Sequence, residues 1–162
     1  MNDLLPKDLY FAYGSNLNVP EFRSWCQRNG FLNAFIEPIV VARLSGYALS
    51  FSHYSRARNG GALNVVPSEN EYVDGVVFQV PGPEGWAALD AKEGFPKRYQ
   101  KESLSLKTDD GKDLLAWVYV VKEPKCDHYP PHSDYVRVVQ DGCRTFKMCE
   151  KRLLKAARLT SP

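Results

Sequence analysis

Between Pro38 and Val80 the chain passes through four β-type runs with no helical pattern among them: Ile39-Val40-Val41-Ala42, Tyr47 to Phe51, Ala62 to Pro67 and Tyr72 to Val80. This succession argues against a doubly wound α/β sheet, in which helices alternate with strands. Ser45-Gly46 marks a bend or bulge, and Gly75 inside the last run marks a bulge or a close backbone approach. Two further runs, Glu102 to Lys107 and Leu114 to Val121, flank the Asp-Gly of a hairpin loop spanning Thr108 to Lys112. Leu9 to Tyr13 adds a short aromatic strand. About six strands with few helices predict an α+β fold, a small mixed β-barrel, closed or nearly so, with flanking α-helices.

Helices are placed by their end signals. Asn18 caps a helix that carries Pro20 in its first turn and stops near Asn29-Gly30. Pro83 opens a second, Glu84 to Glu93, closed by Gly94 in the left-handed position. Two more are expected over Ser133 to Val139 and Lys147 to Leu159, the basic residues of the last forming a solvated face. Arg56 to Gly61 reads as a mobile basic loop.

With 162 residues, 44% of them hydrophobic, the chain suits a single domain over residues 1–162. Twenty-one basic residues against 19 acidic leave a net charge of only +2, which disfavours nucleic acid and anionic lipid as partners. No apolar run approaches the roughly 18 residues of a membrane span, and the N-terminus lacks a secretory pattern, so a cytoplasmic protein is expected. Cys26, Cys126, Cys143 and Cys149 form no C-x-x-C pair and read as reduced thiols. His128 and His132 are separated by Tyr129-Pro130-Pro131, which forbids the helical turn that would align them as ligands, so no metal site is expected. The oligomeric state stays open, a homodimer included.

Two features carry chemistry. Tyr13-Gly14-Ser15-Asn16 joins a strand to a helix start, an order that can present backbone N–H groups to an anion. It is too short for a nucleotide-binding loop, no Lys follows it, and taken alone it reads first as a plain strand-to-helix turn. Glu93 lies in the last helical turn, where the helix dipole disfavours its charge by a few tenths of a kcal/mol to about one. Screened by water beside Lys92 and Lys97 it would be an ordinary surface residue; buried, it would hold a proton near neutrality, as a general acid/base requires.

In order along the chain, Tyr10-Phe11-Ala12-Tyr13-Gly14-Ser15-Asn16-Leu17, Val41-Ala42-Arg43-Leu44, Gly60-Gly61-Ala62, Val73 to Phe78, Leu89-Asp90-Ala91-Lys92-Glu93-Gly94 and Tyr135 in Ser133 to Val136 resemble the γ-glutamylcyclotransferase family. The resemblance implies a barrel with flanking helices, no metal and no cofactor. It implies that a γ-glutamyl amino acid or peptide, a small-molecule partner, closes to 5-oxoproline and releases its amine. Carried over position by position, it makes Glu93 the acid/base. It gives substrate binding to the Tyr13, Gly14, Ser15, Asn16 and Leu17 loop, with Tyr135 and Tyr99 in the pocket. The loop amides would hold either the oxyanion or the α-carboxylate. Two departures from the family pattern, the long segment Glu21 to Pro38 and the acidic Asp74, bear on which amine is released.

Lys97, Arg98, Arg56 and Arg58 would favour a carboxylate-bearing leaving group if they reach the pocket rim, and are plain surface charge if they do not. Two other readings compete. One keeps the mechanism but takes γ-glutamylamines, such as isopeptides or γ-glutamyl-protected metabolites. The other is a non-catalytic small-molecule-binding module of the same fold.

Overall fold

The computed structural model describes residues 9–158. Strand β1, Leu9–Ala12, is buried at every position, so both of its faces are covered and its sequence is apolar throughout. It pairs antiparallel with β3, Gly60–Gln79, where Tyr10 faces Phe78, and parallel with β5, Asp113–Val120, where Tyr10 faces Trp117. With β2, Glu37–Ser55, and β4, Gln100–Thr108, the strands close into a barrel in the order β1-β3-β2-β4-β5. The expected α+β barrel is therefore the observed architecture.

The count of about six strands resolves to five because neighbouring β-type runs merge. Ala42 to Leu44 and Tyr47 to Ser50 both find partners in β3, so the irregularity between Ser45 and Tyr47, with Gly46 at φ +81°, shifts register without ending the strand. Gly75 lies in register opposite Ala42 and is no bulge. A Cβ there would stand 2.4 Å from the Ala12 carbonyl oxygen, so the glycine admits β1 to close approach.

The segment expected as a mobile loop is a tight turn. Asn59 N–H donates to the Arg56 carbonyl at 3.2 Å, and Gly61 N–H donates to Pro130 at 3.0 Å, so Gly60 and Gly61 already belong to β3.

Helix α1, Val19–Arg28, is capped by Asn18, whose side chain accepts from Glu21 N–H. Helix α2, Pro83–Glu93, ends at Gly94 with φ +69°, as its end signal predicts. Helix α3, Ser133–Thr145, runs past the expected Val139, because Val139 and Cys143 continue its buried face. Helix α4, Lys151–Ala156, begins later than expected, after Lys147 turns the chain at φ +55°; Leu159, its expected end, lies outside the described residues.

Phe11, Phe51, Phe78, Leu44, Val65 and Leu106 are fully buried in the core, each contributing roughly 1.5–3 kcal/mol by burial.

Candidate active site

Where β1 ends, the chain folds into a single 3-10 turn, Ser15–Leu17. Leu17 N–H donates to the Gly14 carbonyl at 3.0 Å and Asn18 N–H to the Ser15 carbonyl at 3.1 Å. Those two amides are thereby spent, and the donors the loop can offer a ligand narrow to residues 14–16. The Leu17 side chain is fully buried against Gly142 and does not line the cavity. Gly14 keeps the turn close to helix α3, since a Cβ would come within 3.3 Å of the Tyr135 hydroxyl.

A cavity of about 210 Å³ opens beside this turn. Tyr13, Gly14, Ser15, Asn16, Glu93, Tyr99 and Tyr135 all line it, so the tertiary fold gathers seven of the eight residues singled out in the sequence. Arg58 and Arg98 reach the lining as well; Arg56 and Lys97 do not.

Asn16 is the junction. Its Nδ2 donates to Glu93 Oε1 at 3.1 Å and to the Tyr10 hydroxyl at 3.0 Å, while its Oδ1 accepts from Lys92 Nζ. Lys92 Nζ also donates to Ser15 Oγ at 3.3 Å. The hydrogen bond to the Glu93 carboxyl thus comes from a turn 77 positions away in the chain.

Burial dominates the electrostatics. It raises the Glu93 carboxyl above its ordinary range, against the opposing effects of Lys92, the Asn16 hydrogen bond and Arg58. It also drives the Lys92 ammonium down to about 8, opposed chiefly by Glu93. Burial pushes Tyr10, Tyr13 and Tyr99 well above the ordinary phenol value and Tyr135 up to about 12, so these hydroxyls act as neutral donors and acceptors.

The cavity wall also contains groups that sequence reasoning passed over: Lys92, Tyr10, Tyr119, Glu21, Arg28 and His53. Lys92 stood in the sequence as a screening neighbour of Glu93. Consecutive helical residues diverge by about 100°, so nothing in the helix pattern brings both to one partner. The Asn16 amide does, because its donor and acceptor point in different directions. Glu21 and Arg58 form an ion pair at 3.3 Å across the cavity rim. Beneath it, Tyr119 donates to Asp90 at 2.6 Å and Tyr13 donates to the Tyr119 carbonyl at 2.6 Å, fixing two wall tyrosines. Among the described residues no cluster of His, Cys, Asp and Glu could hold a metal ion, and no helix is long and apolar enough to cross a membrane.

Comparison by sequence with curated proteins gives no significant match. Among solved structures, one of a gamma-glutamyl cyclotransferase superposes with a TM-score of 0.78 at 22% identity, over 96% of this chain and 89% of its own. The human protein loc79017 superposes at 0.77 with 25% identity over the same shares of the two chains. A yeast gamma-glutamyl cyclotransferase specific to glutathione shares the fold at 0.56 and 12% identity, over 93% of each chain. The family model for gamma-glutamyl cyclotransferase, AIG2-like, matches residues 10–137, from strand β1 into helix α3, and so takes in every residue described above as lining the cavity. The chain belongs to the gamma-glutamyl cyclotransferase, AIG2-like family.

Proposed function

We propose that this protein cyclises γ-glutamyl amino acids or γ-glutamyl peptides to 5-oxoproline, releasing the amino acid or shortened peptide, with Glu93 as general acid/base. The observation that carries this reading is the Glu93 carboxyl, which lines the cavity on a hydrogen bond from Asn16 and has its proton affinity raised by burial.

The reaction needs little from the protein besides positioning and proton transfer. The substrate's α-amine is the nucleophile, and its attack on the γ-carbonyl carbon closes a five-membered ring. Holding the reactive rotamer can contribute up to roughly 7–11 kcal/mol in the best intramolecular cases. At neutral pH much of the α-amine is ammonium, with a reference pKa of about 7.7–8.0. Glu93 takes one proton from it, the new carbon–nitrogen bond forms, and charge develops on the γ-carbonyl oxygen. The same proton then passes from Glu93 to the leaving nitrogen as the original amide bond breaks, and the second proton of the ring nitrogen follows through Glu93 to the released amine, which departs as an ammonium and leaves the lactam with one N–H. Atoms and charge balance without a metal, a cofactor or an enzyme nucleophile.

The backbone N–H groups of Gly14, Ser15 and Asn16 hold either the oxyanion or the α-carboxylate in this scheme. Tyr13, Tyr99 and Tyr135 form the wall around the glutamyl unit. Arg28, Arg58 and Arg98 against Glu21 leave the charged rim net positive, which favours a leaving group with a carboxylate over a plain amine.

The test is 5-oxoproline release by the purified protein from γ-glutamyl amino acids, γ-glutamylamines and glutathione, with Glu93→Gln as the control. Release from γ-glutamyl amino acids or peptides that is lost in a folded Glu93→Gln variant is the expected result. Near-normal turnover in that variant overturns the mechanism, and no release from any member of the panel overturns the activity.

A further inference from the structure

We propose that Lys92 is a positioning residue: it sets the orientation of the Asn16 amide, and the amide in turn aims the Glu93 carboxyl into the cavity. The inference rests on Glu93 as the acid/base of the proposed reaction.

A side-chain amide has one donor end and one acceptor end, and here the acceptor end meets Lys92 and the donor end meets Glu93. Lys92 Nζ donates to Asn16 Oδ1, and Asn16 Nδ2 donates to Glu93 Oε1 at 3.1 Å. Turning the amide over would set its NH2 against the ammonium and its carbonyl against the carboxylate, two repulsive contacts in place of two attractive ones. The remaining partner, the Tyr10 hydroxyl, imposes no such choice because a hydroxyl both donates and accepts. Without Lys92, only the carboxyl itself would hold the amide in place, and a protonated carboxyl, which can donate, would not hold it at all.

Burial works against the Lys92 ammonium, but several neighbours favour it. It lies in the last turn of α2, where the helix dipole favours a cation, and its Nζ is 5.9 Å from the centre of the Phe22 ring. Ser15 Oγ supplies a further acceptor at 3.3 Å, tying the same ammonium to the binding turn. Other groups bear on the pair from each packed element: Arg58 from the β2–β3 turn, Glu21 from α1, Tyr10 from β1, Tyr119 from β5 and Tyr135 from α3. Of these, Arg58 and Glu21 pair with each other at 3.3 Å. Lys92 is the cation that reaches Asn16.

The experiment follows the Glu93 side-chain carboxyl by carbon NMR through a pH titration of the full chain. Wild type, Lys92→Met, Asn16→Ala and the double variant form a cycle, with 5-oxoproline turnover measured in parallel. Lys92→Met should move the Glu93 titration to higher pH. It should also lower kcat on the order of 10- to 100-fold with little change in KM. In the Asn16→Ala background the same substitution should do much less, and Lys92→Arg should recover part of the loss.

Three results overturn the proposal: an unmoved Glu93 titration, a raised KM with kcat intact, or Lys92 and Asn16 effects that simply add. The second would make Lys92 a direct substrate ligand, and the third would leave it acting by charge alone. If Lys92→Met does not fold, Lys92→Gln enters the same cycle. If the wild type releases no 5-oxoproline, the functional reading fails, while the titration cycle still decides the role of Lys92.

Discussion

Tyr99 and Tyr135 satisfy the backbone of one and the same residue. The Tyr99 hydroxyl donates to the Leu63 carbonyl at 2.8 Å, and the Tyr135 hydroxyl accepts the Leu63 N–H at 3.1 Å. Leu63 lies where the register between β2 and β3 shifts, between the pairs His53–Ala62 and Ser50–Asn64, and it has no partner residue in β2. Two tyrosines on the cavity wall therefore stand in for a missing ladder position. Tyr135→Phe removes the acceptor from a buried N–H and should cost about 1–3 kcal/mol. Denaturant unfolding checks this, and a change under about 0.5 kcal/mol would mean that Leu63 finds another acceptor.

Glu93 and Lys92 are both destabilising where they are charged, and the sign of each follows from proton counting. Burial raises Glu93, so between its ordinary and folded values the folded chain keeps a proton that the unfolded chain has lost. Stability contributed at this site falls as pH rises through that window and stays lower above it. Glu93→Gln, which has no charge to bury, should therefore be more stable than wild type at pH 7. That advantage should shrink toward about pH 3, where the carboxyl is protonated in both states. Thermal unfolding across pH tests this; equal stability at pH 7 counts against a desolvated carboxyl.

Lys92 shifts the opposite way in pH. Its folded value is about 8 against an ordinary 10.5, so above about pH 8 the unfolded chain binds more protons than the folded one. Wild type should gain stability from this site between those two values, and Lys92→Met should lack the gain. Parallel wild-type and variant curves across that range would rule out a buried ammonium at this position.

Arg58 supplies the sharpest test of the leaving group. Its guanidinium lies on the cavity rim, paired with Glu21 at 3.3 Å and 5.5 Å from the centre of the Tyr135 ring. A charge-assisted hydrogen bond is worth about 1.5–3 kcal/mol, so Arg58→Ala should raise KM for γ-glutamyl amino acids by roughly tenfold or more. γ-Glutamylamines without a carboxylate should be nearly unaffected. Equal losses on both classes would assign Arg58 to the glutamyl half of the substrate.

Gly75→Ala tests the close approach of β1 and β3. The added methyl would meet the Ala12 carbonyl oxygen at 2.4 Å and the Phe11 ring at 2.5 Å, and neither can retreat within the closed barrel. A loss of about 1–3 kcal/mol, or more if β1 detaches, should appear in denaturant unfolding.

Local chemistry is what a sequence displays, and much of the scaffold was legible on that basis. Asn18 and Pro20 announced the start of α1, and Pro83 and Gly94 announced both ends of α2. These signals act within a few residues, so no tertiary partner was needed to read them. Strand number depends on the partner: Gly46 and the stretch from Ser68 to Glu71 look like breaks, but pairing resumes on both sides and the strands run through. The Arg56 to Gly61 segment looked mobile for the same reason, since its anchor, Pro130, lies far along the chain.

By itself the sequence determined the barrel class, the ends of α1 and α2, and a short set of polar residues worth watching, among them Asn16 and Glu93. Only the tertiary structure decided which of them meet. The contact between Asn16 and Glu93 spans 77 positions, and it depends on barrel closure bringing the end of β1 beside the end of α2. Leu17 left the cavity because the 3-10 turn spends its N–H internally and buries its side chain. Lys92 entered because burial makes its charge matter, and burial is a property of everything packed around a residue rather than of its neighbours in the chain.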